Sequence, residues 1–365
     1  MGVQPCTVED VDVNPVFWRG RRVFVTGHTG FKGSWLCLWL QHAGAQVHGY
    51  SLAPPTTPNL YTVAGVQQGM QAHTQADVRD AAALREAMHA AAPEVVLHLA
   101  AQPLVRRSYV EPVETYAVNV MGTVHLLEAV RSCASVRAVV NVTTDKCYEN
   151  REWVWGYREN DALGGSDPYA NSKACSELVT AAYRASFFGA GGPGIASARA
   201  GNVIGGGDWA VDRLLPDFLR AHDQGRSVEI RHPDATRPWQ HVLEPLSGYL
   251  LLAERLVEQG HAYASAWNFG PSEGDARPVR WILDKLCAQL PGAAWHHAGA
   301  AQAHESNLLR LDSARAAKDL NWSPRWDLAR ALGETLAWHR AWRQGQDMRS
   351  VCLKQIDAFT ASALA

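Results

Sequence analysis

The feature that most restricts what this 365-residue chain can become is a glycine run caught between a strand and a helix. Arg22-Val23-Phe24-Val25-Thr26 reads as a strand, and Phe31 to Ala43 places Trp35, Leu36, Trp39 and Leu40 at helical spacing. Between them lies Gly27-His28-Thr29-Gly30-Phe31-Lys32-Gly33. Glycines let a backbone approach a pyrophosphate closely, and the helix behind them offers free N–H groups and its positive dipole end. The spacing is G-x-x-G-x-x-G, not the G-x-G-x-x-G of the dinucleotide fingerprint, and a plain structural turn could use the same residues. Its place at the first strand–helix junction favours the phosphate loop.

The rhythm continues in the first half. Gln46 to Tyr50, Glu94 to Leu99, Val136 to Thr143 and Ile195 to Arg199 read as strands. Asp80 to Ala91, Pro112 to Arg131 and Pro168 to Phe188 read as helices. Strict alternation predicts an α/β fold, a doubly wound parallel sheet of Rossmann type. After Arg199 the run Gly201 to Asp208 and four prolines break the chain into short elements, as in a smaller C-terminal substrate-binding lobe. The expected division is 17–200 for the sheet with cofactor and catalytic residues. Residues 201–345 form mainly the substrate lobe, with some chain returning to the sheet, and 1–16 and 346–365 are terminal extensions. Gly189 to Gly194 reads as a surface loop.

Composition narrows the partners. With 47 % hydrophobic residues and a net charge of −2, nucleic acid and anionic membrane are poor partners, and a small molecule is expected. No apolar run approaches the ~20 residues a membrane span needs. Met1 to Asp12 lacks a secretory pattern, and Cys6 stands where a myristoylation signal wants Ser or Thr. Seven cysteines without CxxC spacing read as reduced thiols. A cytoplasmic protein follows.

The acid expected ~20 positions beyond the loop, to hold an NAD ribose, is missing. His48 to Ser51 fill that stretch, so NADP is not excluded beside NAD. Asp77-Val78 is a candidate for the adenine, or Asp77 is an acid at the helix start before Ala81. Asp167-Pro168 caps and opens a helix that sets Tyr169 and Lys173 four apart on one face. A Tyr–Lys pair suits removal of an alcohol proton, the ammonium lowering the phenol's pKa, although such pairs also occur on ordinary helix surfaces. Thr144-Asp145-Lys146 follows a strand at the edge where such sheets bind ligands, or is a capped turn. His296-His297 lacks a third ligand, so no metal is expected. Trp322, Trp326, Trp338 and Trp342 are expected to pack C-terminal helices, and Trp153 and Trp155 to form a lid.

These residues together carry a resemblance. The glycine run, Leu99-Ala100-Ala101-Gln102, Thr144-Asp145-Lys146 and Tyr169-x-x-x-Lys173 resemble the extended short-chain dehydrogenase/reductases, the NAD-dependent epimerase/dehydratase family. Longer stretches such as GHTGFKGSWL, TTDKCYENREWVWGYRENDALGGSDPYANSK and RAGNVIGGGDWAVDRLLPD are similar to its 4,6-dehydratase branch acting on CDP-glucose. The similarity runs from about Phe17 to Trp342. It implies a lyase that holds NAD at Gly27, Thr29, Gly30, Phe31, Lys32, Gly33, Asp77, Val78, Leu99, Ala100, Ala101, Tyr169 and Lys173. It implies that Tyr169 removes the carbon 4 hydroxyl proton and that Thr144 bonds the same oxygen. Lys146 would take the carbon 5 proton as a neutral amine, and Asp145 would protonate the departing carbon 6 hydroxyl. The branch often has Ser where Thr144 stands, and either hydroxyl can bond the sugar oxygen. CDP-glucose or a related nucleotide-sugar would meet Gln102, Asn202, Asp208, Arg213 and Arg237, the last through its bidentate fork. A homodimer or homotetramer through the helices 112–131 and 168–188 is implied too. A 4-epimerase would use the same Tyr–Lys pair without an acid–base pair for elimination, and a non-catalytic relative would lose one of the two.

Overall fold

The first half of the chain lays down β1 (Arg22–Thr26), α1 (Phe31–His42), β2 (Gln46–Ser51), β3 (Ala72–Gln75), α2 (Ala81–Ala91), β4 (Val95–His98), α3 (Gly122–Arg131), β5 (Ala138–Val142), α4 (Pro168–Phe187) and β6 (Gly194–Ala200). The second half adds β7 (Asn202–Ile204), α5 (Leu214–Asp223), β8 (Val228–Ile230), β9 (Thr236–His241), α6 (Leu243–Gln259), β10 (Ala266–Phe269) and β11 (Ala276–Pro278). It closes with α7 (Val279–Gln289), β12 (Trp295–His297), α8 (Ala314–Leu320), α9 (Leu328–Arg343) and α10 (Met348–Ala361). This is a computed structural model, and it describes residues 13–189, 191–298 and 308–362. The readings on Met1 to Asp12, Cys6 included, and on Ala190 lie outside the described residues.

Seven strands form one parallel sheet in the order β10-β6-β5-β4-β1-β2-β3. The order reverses between β1 and β4, the switch point at which such sheets leave a crevice beyond their carboxyl ends. A small sheet of β11-β9-β7 and the pair β12-β8 build the second lobe.

Strands β5 and β6 explain how the sheet is covered. A strand's side chains alternate between faces, and toward the carboxyl ends of these two strands the faces differ in polarity. Ala138, Val140 and Val142 of β5, with Ala196, Ala198 and Ala200 of β6, join the apolar cluster of α6 residues Leu246, Tyr249 and Leu250. On the opposite face Val139 and Ile195 join a second apolar cluster, and nearer the site Asn141, Thr143, Ser197 and Arg199 bond to polar side chains of α4.

Three readings are altered. The helix expected over Pro112 to Arg131 is Pro112–Tyr116, a π turn at Ala117–Met121, and then α3. A π turn re-aims a side chain. Asn119 in it accepts from the Gln102 N–H at 2.8 Å and donates to Ser172 Oγ at 2.9 Å. The stretch 346–365, expected as an extension, carries α10, whose Cys352 and Phe359 are fully buried. The return of chain to the sheet is large: α6 lies behind β5 and β6, and β10 is an edge strand of the main sheet.

Trp322, Trp326 and Trp338 are buried, Trp326 edge-on to Phe359 of α10, and Trp342 packs on the same core. The six described cysteines are free. Among the described residues no helix is long and apolar enough to cross a membrane.

Candidate active site

The carboxyl ends of the central strands open into a cleft of about 1960 Å³, and all the site residues expected from the sequence line it. Gly27 has φ +74°, and a Cβ there would stand 2.7 Å from Ala100 N. A Cβ on Gly33 would stand 2.1 Å from the Gly27 carbonyl oxygen. Only glycine allows the loop to fold this tightly against the end of β4. Gly30 begins α1 with no side-chain cap, so the helix's first N–H groups remain for a ligand. Thr26 Oγ1 accepts from the N–H groups of Leu99 and Ala100, both at 3.2 Å, and locks the two strand ends together. This backbone cradle fits a dinucleotide's diphosphate.

At the end of β2, where a ribose-binding acid would stand, Thr29 Oγ1 bonds to Ser51 Oγ at 2.8 Å and donates to the Leu52 carbonyl. Asp80, not Asp77, caps α2. Asp77 instead accepts from the Arg79 N–H and guanidinium, whose bond holds its carboxyl below the usual range, and it lies with Val78 on the cleft wall.

On the catalytic side, Asp167 Oδ1 caps the Ala170 N–H at 2.9 Å and Pro168 opens α4. Tyr169 and Lys173 follow one turn apart, both buried, and Ser108 Oγ accepts from the Tyr169 N–H. Lys173 Nζ donates to the Val142 carbonyl at 3.1 Å. Burial lowers the Lys173 ammonium to about 8, against the pull of Glu177. Burial pushes the Tyr169 phenol up to about 12, against a hydrogen bond with Thr144 and the charge of Arg213.

Thr144 Oγ1 donates to Asp145 Oδ1 at 3.0 Å, and Lys146 Nζ is 3.5 Å from the same oxygen. Asp145 is only 1 % exposed, and its Oδ2 has no hydrogen-bond partner. A Cβ on Gly201 would come within 3.2 Å of that oxygen. Lys146 keeps 30 % of its side chain exposed. The triplet is thus a buried carboxyl and a reachable amine side by side, next to a redox-type Tyr–Lys pair.

The expected substrate residues divide. Arg213 is 2.8 Å from Asp208, and that carboxylate holds its guanidinium above the usual range. Arg237 is buried on β9, and Asn202 stands on β7. Gln102 lines the cleft, but its carboxamide is engaged in the loop. It donates to the Leu104 carbonyl and Thr115 Oγ1 and accepts from the Leu104 N–H. Trp155 is 68 % exposed, while Trp153 leans on Tyr157. Among the described residues no cluster of metal ligands is present.

Sequence reasoning missed Glu177 and Arg199, a buried pair at 2.9 Å beneath the site. Glu177 also accepts from Thr143 and Ser197. Burial would raise its carboxyl, but Arg199 and these bonds hold it below the usual range. The signal was present: Glu177 stands four positions beyond Lys173 and eight beyond Tyr169, on one helix face.

Residues 24–277 match the model of the GDP-mannose 4,6-dehydratase family. The chain is similar to CDP-glucose 4,6-dehydratase of Salmonella typhimurium, 53 % identical over 93 % of this chain and 96 % of that one. Among solved structures it is similar to the dTDP-glucose 4,6-dehydratase DesIV of Streptomyces venezuelae, with NAD and TYD bound. There the TM-score is 0.74 and the identity 24 %, over 89 % of this chain and 99 % of that one. MoeE5 in complex with UDP-glucose and NAD gives a TM-score of 0.72 and 25 % identity, over 87 % and 98 %.

Proposed function

The chain belongs to the GDP-mannose 4,6-dehydratase family, and from that premise we propose that it converts CDP-glucose to CDP-4-dehydro-6-deoxyglucose with release of water. The observation that carries this is the Asp145–Lys146 pair beside Tyr169. A 4-epimerase needs the redox pair alone, whereas elimination also needs an acid and a base. NAD supplies the acceptor for the carbon 4 hydride and the donor that later delivers it to carbon 6.

The residues divide the proton work. Tyr169 takes the carbon 4 hydroxyl proton while Thr144 holds the same oxygen. The new ketone acidifies carbon 5, whose proton passes to Lys146, acting as a neutral amine on a half-buried side chain. Asp145 in its acid form donates a proton to the carbon 6 hydroxyl, which leaves as water; its Oδ2, without a hydrogen-bond partner among the described residues, is the oxygen open to that contact. The proton held by Lys146 returns to carbon 5 when carbon 6 receives the hydride; Tyr169 then releases the carbon 4 hydroxyl proton and Asp145 takes one up, so that the net loss is one water.

The glycine loop from Gly27 to Gly33, with Leu99 to Ala101, holds the cofactor's diphosphate, and Asp77 and Val78 hold the adenine end. Arg213, Arg237, Asn202 and Asp208 hold the nucleotide-sugar, with Gln102 shaping the loop beside it. The product is a deoxysugar precursor of polysaccharide type, made in the cytoplasm, where free thiols persist. The chain works as a homodimer or homotetramer. Val113 and Met121 before α3, and Leu178 and Phe187 on α4, are large apolar side chains left exposed, as at an interface.

Asp145→Asn tests the division of labour, because it keeps the shape but cannot donate a carboxylic proton. On adding CDP-glucose it should accumulate bound reduced cofactor, read by absorbance, with product formation down ~100-fold. No reduced cofactor at all would move Asp145 to binding or the first oxidation. Near wild-type turnover would sink the dehydratase mechanism and favour epimerisation.

A further inference from the structure

The Tyr–Lys pair approaches the cleft from α4, in front of the sheet, and another titratable group approaches from behind it. α6 runs against the strands it covers. Its carboxyl end lies by their starts, where Arg137, just before β5, donates to the Val257 carbonyl at 3.0 Å. Its amino end lies toward the carboxyl edge, where the Val242 N–H donates to the Ile204 carbonyl at 2.8 Å. Helical side chains lean toward the amino end of their helix, so the ring of Tyr249 is carried up toward the floor of the cleft. It packs in one cluster with Val142, Ala198 and Ala200 and meets Phe269 edge-on.

Tyr249 is fully buried, and its hydroxyl has no hydrogen-bond partner among the described residues. A buried hydroxyl without a partner is destabilising, and phenylalanine would fill the same space without one. Burial, with the charges of Tyr169 and then Asp145 behind it, pushes the phenol above its usual range, so it keeps its proton and acts as a donor. Of those two neighbours, Tyr169 already has Thr144 on its oxygen. Asp145 is served on one side only. Its Oδ1 accepts from Thr144 at 3.0 Å and stands 3.5 Å from Lys146 Nζ. Its Oδ2, buried beside Gly201, has no partner among the described residues. Two oxygens without partners, one a donor and one an acceptor, thus share the floor of the site.

The elimination step says when that donor matters. The Lys146 amine takes the carbon 5 proton, and the C–H electron pair becomes the double bond between carbons 5 and 6. The carbon 6–oxygen bond breaks as Asp145 transfers its proton to that oxygen. Water leaves, and a full negative charge stays on a carboxyl that is 1 % exposed. A dipole already in place in such a site stabilises developing charge without reorganisation.

We propose that Tyr249 is a positioning residue of the elimination step, its O–H dipole meeting the charge left on Asp145 Oδ2 when the proton goes to the departing hydroxyl. This rests on the dehydratase reading above. Tyr249 touches neither sugar nor cofactor in this role and acts through Asp145 alone.

The test mixes holoenzyme rapidly with CDP-glucose and follows reduced cofactor by absorbance and keto-deoxy sugar by product assay. In Tyr249→Phe the reduced cofactor should appear at the wild-type rate and then persist. Product formation should fall about tenfold at unchanged KM, the scale of a hydrogen-bond donor lost from a charged group. The 6-deoxy-6-fluoro analogue of CDP-glucose separates this role from packing. Fluoride leaves with little help from an acid, so here the variant should stay within about twofold of wild type. Equal slowing of both substrates would overturn the proposal and make Tyr249 a packing residue. Slower appearance of reduced cofactor would overturn it too, and assign the hydroxyl to Tyr169. Tyr249→Leu, judged by the same ratio of the two substrates, replaces Tyr249→Phe if the latter does not fold. Wild type that forms no keto-deoxy sugar from CDP-glucose would overturn the dehydratase reading, and this proposal with it.

Discussion

Two buried glutamates on opposite faces of the same two strands behave in opposite ways. Glu177, on α4, is held ionised by Arg199 at 2.9 Å and by the hydroxyls of Thr143 and Ser197. Glu254, on α6, accepts from the Trp18 indole N–H at 2.6 Å and the Asn14 N–H at 2.9 Å, and burial raises its carboxyl to about 8. Burial pushes both the same way, and a buried cation decides the outcome. The face that carries the site is therefore polar and over-bonded, so that the Tyr169 and Lys173 turn is fixed from beneath. The other face is mainly an apolar contact, with two buried glutamates of α6, Glu244 and Glu254, whose carboxyls burial raises.

The contrast can be broken from either side. The largest effect is expected at the site itself. Tyr169→Phe should fold as wild type and lose between ~10²- and ~10⁴-fold in turnover, the scale of a positioned acid–base group. Keto-sugar formation from CDP-glucose measures it, and a variant within tenfold of wild type would remove Tyr169 from the chemistry. Glu177→Ala leaves Arg199 buried without its partner, and should cost ~3–5 kcal/mol in denaturant unfolding. Turnover of the folded fraction should fall as well, because α4 loses its anchor to β6. A loss below ~1 kcal/mol would mean that the front face is not built on this pair.

Leu250→Ala cuts a fully buried side chain from the back face and should cost ~2–5 kcal/mol. Here kcat should stay within a factor of about two, because only apolar contacts are lost. A large fall in kcat at unchanged fold would show that the two faces are coupled. The smallest effect belongs to Glu254. Its folded pKa stands above the 4.5 of a free glutamate, so its contribution is complete below that pH and is lost as pH rises through about 8. Stability measured from pH 5 to 8 should therefore decline less steeply in Glu254→Gln, whose amide oxygen can still accept both bonds. An unchanged slope would assign the decline elsewhere.

The half of the molecule governed by local pattern was legible in the sequence. Gly27 to Gly33 could be placed because a strand, a glycine loop and a helix are adjacent in the chain, and Asp167-Pro168 announced the start of α4. Helical spacing set Tyr169 and Lys173 on one face of α4, and their reading as a catalytic pair needed the neighbouring motifs and the resemblance. What could not be read was set by partners far along the chain. Arg199 meets Glu177 across 22 positions, and the π turn at Asn119 exists to reach Gln102 and Ser172. The roles within Thr144-Asp145-Lys146 came from resemblance, because spacing does not say which of three adjacent polar groups is buried. The segment Ala266-Trp267-Asn268-Phe269 is too short to declare itself the seventh strand of a sheet begun 240 residues earlier.

That seventh strand changes what can be exchanged between relatives. Because α6 walls the sheet and β10 closes its edge, the substrate lobe is two inserts threaded out of the sheet, around 202–241 and 276–297, closed by Leu328, Ala331, Leu332 and Leu336 of α9. A single crossover near residue 200 would import a foreign back wall and a foreign edge strand together with the new specificity. It would set alien side chains against Ala196, Ala198 and Ala200, where there is room for little more than a methyl group. Chimaeras that move the two inserts together with the α9 face that packs on them keep the native wall, and altered sugar or base preference should be transplantable by that route.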